Sequence, residues 1–178
     1  MRLLLQLSRK NVMKKRGKRP EKDKDGTFVV PKPFPCASCN HEHVIQLHDE
    51  CKVEFNFTPT EFVDKIPDFA SIVYKFDPPA CIRRMKGLQF ELRFGDGNFT
   101  GVDLELKPVD QNAHGLWRKT ISRFCGWETI TVALSEVDPR VILDNLREIC
   151  FVVTNRHFPN LDRLDGNFEI KNLTFIEK

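Results

Sequence analysis

From Cys51 to the C-terminus the apolar residues recur at every second position, which excludes an amphipathic helix for most of that length and demands half-buried strands. Val53, Phe55 and Phe57 alternate with Lys52, Glu54 and Asn56. Leu88, Phe90, Leu92 and Phe94 alternate with Gln89, Glu91 and Arg93. Val102, Leu104 and Leu106 alternate with Asp103, Glu105 and Lys107, and Ile130, Val132 and Leu134 with Thr129, Thr131 and Ala133. Further strands are expected at 71–76, 116–121, 149–154 and 167–176.

Turn signals fall between these runs: Asp77-Pro78-Pro79, Gly95-Asp96-Gly97-Asn98, Gly115, Gly126 and Asp165-Gly166. Only Pro139–Glu148, with Pro near its start and Val141, Leu143 and Leu146 behind it, predicts a short helix. Half-polar alternation gives each sheet one buried and one wet face. About eight such strands predict an all-β fold, an antiparallel two-sheet sandwich. A parallel-sheet enzyme would need helices between its strands. With 40% hydrophobic residues and fifteen Phe, the chain can fill one core, and a wholly disordered chain is excluded.

The net charge of +3 hides an asymmetry. Residues 1–24 hold ten Lys/Arg against two Asp/Glu, and the remainder eighteen against twenty-three. Residues 1–34 are therefore expected as a flexible, disordered basic arm, able to contact nucleic acid or an anionic surface through a salt-sensitive charge effect, or simply to solubilise. The apolar stretch Leu3-Leu4-Leu5-Gln6-Leu7 is too short for a secretory signal and lacks a small-residue cleavage site. No apolar run approaches the roughly 20 residues of a membrane helix. A cytoplasmic location is expected.

Six cysteines in a chain with an adequate core do not require a disulfide framework. Cys150, inside Ile149-Cys150-Phe151-Val152-Val153, reads as a small buried hydrophobe. Cys36 and Cys39 form a Cys-x-x-Cys followed by His41, His43, His48 and Cys51, and Cys36, Cys39, His43 and Cys51 are the candidate ligands for a zinc ion. A plain loop with free thiols is the competing reading, because no second pair follows at finger spacing. Residues 14–44, with a basic stretch and then Phe-Pro-Cys-Ala-Ser-Cys-Asn-His-Glu, are similar to the start of the zinc-ribbon transcription elongation factors, but the second Cys pair of that family is missing. That similarity implies a zinc-binding, nucleic-acid- or transcription-associated protein as the alternative function.

The order of elements from Ser71 to Phe175 resembles the galactose-binding-like jelly rolls. Within these it is closest to carbohydrate-binding modules of the family 11 type and to the complex I intermediate-associated family. The resemblance rests on Ser71–Phe76, Gly87–Phe94, Trp127–Leu134, Leu146–Val153 and the closing Gly-x-Phe-x-Ile-x-x-Leu of Gly166–Leu173. It implies a non-catalytic jelly-roll module that binds a carbohydrate on its concave sheet or loop rim, with a structural calcium, for which loop residues Asp96, Asn98, Asp162 and Asp165 offer oxygens. An assembly factor binding another protein is implied by the second family.

A sugar site needs a flat aromatic beside hydrogen-bonding side chains. The candidates are Arg93, Asp103, Glu105, Trp117, Arg118 and Trp127. Arg93, Asp103 and Glu105 read equally as cross-strand ion pairs on a solvated face, Trp127 as a packing residue, and Trp117 as the more exposed indole. His114 and His157 are expected to be solvated loop residues. No nucleophile elbow, zincin motif or phosphate loop occurs, so no catalysis is expected. Three Asn-x-Thr sequons, at Asn56, Asn98 and Asn172, carry no assignment. The expected organisation is an arm over 1–34, a Cys/His connecting segment over 35–50 and the binding sandwich over 51–178.

Overall fold

The computed structural model describes residues 17–37, 44–47, 52–57, 69–109, 115–160 and 164–177. Ten strands form two antiparallel five-stranded sheets. They are β1 (Phe34–Ala37), β2 (Val44–Leu47), β3 (Lys52–Asn56), β4 (Phe69–Ala80), β5 (Met85–Gly97), β6 (Gly101–Pro108), β7 (Trp117–Ser122), β8 (Trp127–Ala133), β9 (Leu146–Thr154) and β10 (Asp165–Glu177). The first sheet has the order β1-β4-β9-β6-β7 and the second β2-β3-β10-β5-β8. Apart from the β2–β3 and β6–β7 pairs, chain neighbours thus pass between the layers, as in a jelly roll. No helix among the described residues is long and apolar enough to cross a membrane.

The alternation does what period two requires. Leu88, Phe90 and Leu92 of β5 and Phe168 and Ile170 of β10 face Val102, Leu104 and Leu106 of β6 and Ile149, Phe151 and Val153 of β9 in one core. The two layers meet at Phe90 and Phe151, edge to face with centroids 4.7 Å apart. A second aromatic group closes one end, where Phe55 packs against Phe57 and Phe99 at 5.3 and 5.2 Å.

The expected helix at Pro139–Glu148 is absent. Its place holds a turn, one 3-10 turn at Leu143–Asn145, and the start of β9. The carbonyls that would continue a helix are taken from outside: Leu143 O accepts from Ile82 N–H, Asp144 O from Gly17 N–H and Asn145 O from Val109 N–H. Leu146 is needed in the ladder opposite Ala80 and Pro108.

Residues 17–34, expected to belong to a solvated arm, lie against the sandwich. Lys18 bridges to Ala80 and exchanges backbone bonds with Pro79 and Cys81. Phe28 is buried, edge-on to Phe175 at 5.9 Å, with the Lys22 ammonium 4.9 Å above its ring. Arg19 and Lys22 both reach Glu177 at 2.8 Å. One buried aromatic outweighs the charge around it as a determinant of where this stretch sits. The Cys/His segment likewise contributes structure: β1 edges the first sheet and β2 the second.

Candidate functional site

The register of the first sheet sorts its outward side chains into cross-strand rows. One runs Lys75, Glu148, Lys107; the next Phe34, Val73, Cys150, Glu105, Arg118; the next Cys36, Ser71, Val152, Asp103, Thr120. This face was expected to be wet, yet its middle is closed to solvent. Ser71, Val73, Cys150, Val152, Asp103 and Glu105 are all buried, and the face opens at Arg118, Thr120, Phe34, Cys36 and Lys75.

Two carboxylates on a closed face need partners, and they have them. Glu105 Oε1 accepts from Arg118 Nε at 2.9 Å and Nη2 at 2.5 Å, and Oε2 from Lys107 at 3.0 Å. Asp103 Oδ1 accepts from the Thr120 hydroxyl at 2.6 Å and faces His157 Nε2 at 3.2 Å, while Oδ2 lies 3.4 Å from Arg118 Nε. Burial raises the Asp103 pKa, but the bonds from His157 and Thr120 and the charge of Arg118 outweigh it and hold the carboxyl below its usual range.

His157 is a correction: it is buried, not solvated. Its Nδ1 accepts the Thr154 N–H at 2.9 Å, which leaves the ring proton on Nε2, aimed at Asp103. Both ring nitrogens are thus engaged. Cys150, buried as expected, has its thiol pushed up to about 12 by desolvation and is no nucleophile at neutral pH. All four carboxylate oxygens of Asp103 and Glu105 are occupied. The cluster is a saturated strut rather than an acid–base pair.

Trp117 stands on the other side of β7, opposite Leu106, and packs against the core. Trp117 is therefore partly buried rather than fully exposed, because its parity on β7 turns it toward the core. Trp127 is the exposed one, at 37%.

Trp127 and Arg93 belong to the outer face of the second sheet, so the six candidates divide between opposite surfaces of the sandwich and the core. Arg93 pairs in register with both Trp127 of β8 and Glu169 of β10, and Glu91 pairs with Lys171. The indole lies over two cations, with Lys171 Nζ 3.9 Å and Arg93 Cζ 5.2 Å from its ring centroid. Each cation has its own acid: Arg93 bonds Glu169, and Lys171 lies 3.1 Å from Glu91. Asn172, held at φ 53°, donates to Glu91 at 2.6 Å, and with Lys171 it lowers the Glu91 pKa. Gln89 donates to Thr131 at 3.4 Å beside them. The indole is thus contacted by two cations, within a charge-balanced ring of polar groups. Lys171, Glu169 and Asn172 were not among the sequence candidates. Alternation marked Glu169 and Lys171 as outward-facing, whereas Asn172 joins them through the irregularity after Lys171, and only the register brings the three to Trp127.

Of the zinc candidates, Cys36 is exposed on β1, its carbonyl accepting from the Ser71 hydroxyl at 3.1 Å. Cys39, His43 and Cys51 lie outside the described residues, as does His114. For calcium, Asp162 lies outside them too. Asp96 is exposed, and Asn98 donates to Asn160 at 3.4 Å while its own buried Oδ1 has no partner. No three Asp, Glu, His or Cys among the described residues converge on a metal position. A cavity of about 520 Å³ between β8 and β9 holds Arg83, Asp138, Arg140 and Asp144, self-paired as Arg83–Asp144 at 3.4 Å and Arg140–Asp138 at 2.5 Å.

No protein-family model matches the chain. No curated protein matches it in sequence. Solved structures do match its fold. The family 11 carbohydrate-binding module of the cellulosomal cellulase Lic26A-Cel5E of Clostridium thermocellum aligns over 93% of this chain and 97% of its own, at 17% identity and a TM-score of 0.52. The family 30 module of cellulase Cel9D-Cel44B from the same organism covers 90% and 96% at 8% identity and 0.53. PfGH50B matches 84% of this chain over 23% of its own length, at 14% identity and 0.57. The architecture shared with these structures is a jelly-roll β-sandwich.

Proposed function

We propose that this chain is a non-catalytic binding module whose ligand is an uncharged carbohydrate, received on the outer face of the second sheet. Trp127 is the stacking platform, and Arg93, Glu169, Glu91 and Asn172 supply donors and acceptors around it. The observation that carries the reading is the exposed Trp127 indole, in contact with Lys171 and Arg93 and ringed by polar groups. A sugar presents an apolar C–H face to an aromatic ring and hydroxyls to the polar rim. The pairing of each cation with a carboxylate leaves the platform without net charge, which suits a neutral ligand. The full-length likeness to family 11 and family 30 modules supports the ligand class, and one of those structures holds a beta-1,3-1,4-mixed-linked tetrasaccharide.

The non-catalytic part of the reading is supported by the state of the buried groups. His157 has no free nitrogen, the Asp103 and Glu105 oxygens are all in use, and Cys150 stays a thiol.

Affinity electrophoresis of the whole chain through gels containing soluble polysaccharides tests it, with mixed-linkage β-glucan first. Retardation in at least one neutral gel that is lost in Trp127→Ala, and kept in Trp117→Phe, is the expected result. Unretarded migration in every gel, or retardation indifferent to Trp127, would overturn it.

A further inference from the structure

The edges of the two sheets are unequally guarded. A strand edge presents unpaired N–H and C=O groups, and stable monomers blunt it with short strands, proline or basic side chains. β1 is four residues long and contains Pro35, β2 is also four residues long, and β7 carries Arg118 and Lys119. β8, Trp127–Ala133, is seven residues with neither proline nor a basic residue, and much of it is exposed.

No described residue pairs with its outer side, and the backbone groups facing that way can be assigned. Pairing with β5 runs without a bulge from Arg93↔Trp127 to Gly87↔Ala133. The Val132 carbonyl points at Gly87, where a Cβ would lie 2.6 Å from it, so the even-numbered residues bond to β5. The Ala133 N–H turns the other way, to Glu136 Oε1 at 3.4 Å. By the same parity the groups of Trp127, Thr129 and Thr131 point away from the sheet.

We infer that β8 pairs with β8 of a second copy of this chain, antiparallel about a two-fold axis at Ile130. That axis sets Thr129 opposite Thr131, the outward-facing residues that must exchange bonds. It sets Glu128 opposite Val132 and the bulky Trp127 opposite the small Ala133. Threonine pairs are favourable across antiparallel strands, and no like charges face each other. The two second sheets become one, with an isologous interface. On the glycan reading, which this pairing does not require, the two Trp127 platforms then share one face.

Sedimentation velocity of the whole chain over a concentration series tests the pairing, beside Thr131→Lys, which charges the edge, and Thr129→Pro, which removes only an outward N–H. The wild type is expected to move from 20.7 kDa to twice that mass. Both variants should stay at the lower mass with an unchanged β-sheet circular-dichroism spectrum. A wild type that is monomeric at every concentration overturns the inference and leaves the edge to some other strand. A dimer indifferent to both substitutions overturns it equally. Neither result bears on sugar retention, which is read separately by electrophoresis.

Discussion

The Lys171 ammonium sits 3.9 Å from the centre of the Trp127 indole, although β10 and β8 are separated by β5 in the sheet. The indole must therefore lie across β5 rather than stand off the edge. Replacing Lys171 by Gln removes this support. Stability should fall by about 1 kcal/mol or less, while glycan affinity falls several-fold because the ring is no longer held flat. Chemical denaturation and calorimetric titration separate the two effects.

Asp103→Asn breaks the buried network at the oxygen shared by Thr120 and His157. The substitution leaves the buried His157 N–H and Thr120 hydroxyl facing a neutral amide, so a loss of about 1–3 kcal/mol is expected in urea unfolding at pH 7. The Asp103 carboxyl has a depressed native pKa. Its contribution is present above the unfolded value of about 4 and is lost as pH falls through the lower native value. The wild type should therefore lose stability on acidification more steeply than Asp103→Asn does.

Cys150 should resist thiol reagents in the native protein while exposed Cys36 and Cys125 react. Burial holds its pKa near 12, so the stability tied to the neutral thiol is intact below the unfolded thiol value and declines as pH rises toward that figure. Labelling of Cys150, followed by peptide mass analysis, should track global unfolding.

Phe28→Ala tests whether the stretch before β1 is part of the folded unit. Phe28 is buried against Phe175. A cost of about 3 kcal/mol is expected in equilibrium unfolding, as for other buried phenylalanines. A solvated arm would show almost none.

β3, β5, β6 and β8 were legible from their alternation, and β4, β7, β9 and β10 from apolar runs set between turn signals, the runs of β4 and β9 being continuous because both of their faces are buried. β1 and β2 were not, since four residues beside Pro35 or among histidines carry no measurable period. The helix expected before β9 failed because Ile82, Gly17 and Val109 compete for its carbonyls, a tertiary fact no local pattern contains. The site was half legible. Arg93 and Trp127 were named from their strands, but Lys171 and Glu169 become their neighbours only through the β5–β10 register. Asp103 and Glu105 looked wet because polar residues at alternate positions look alike whether a face is open or closed.

The central claim is that Trp127, on the second sheet, meets the sugar. Titrating a neutral β-glucan oligosaccharide into the isotopically labelled chain and following the two indole N–H resonances tests it most directly. The Trp127 signal should shift progressively to saturation while that of core-packed Trp117 stays in place. A shift at Trp117 or along Arg118 and Thr120 with Trp127 unmoved would contradict the account.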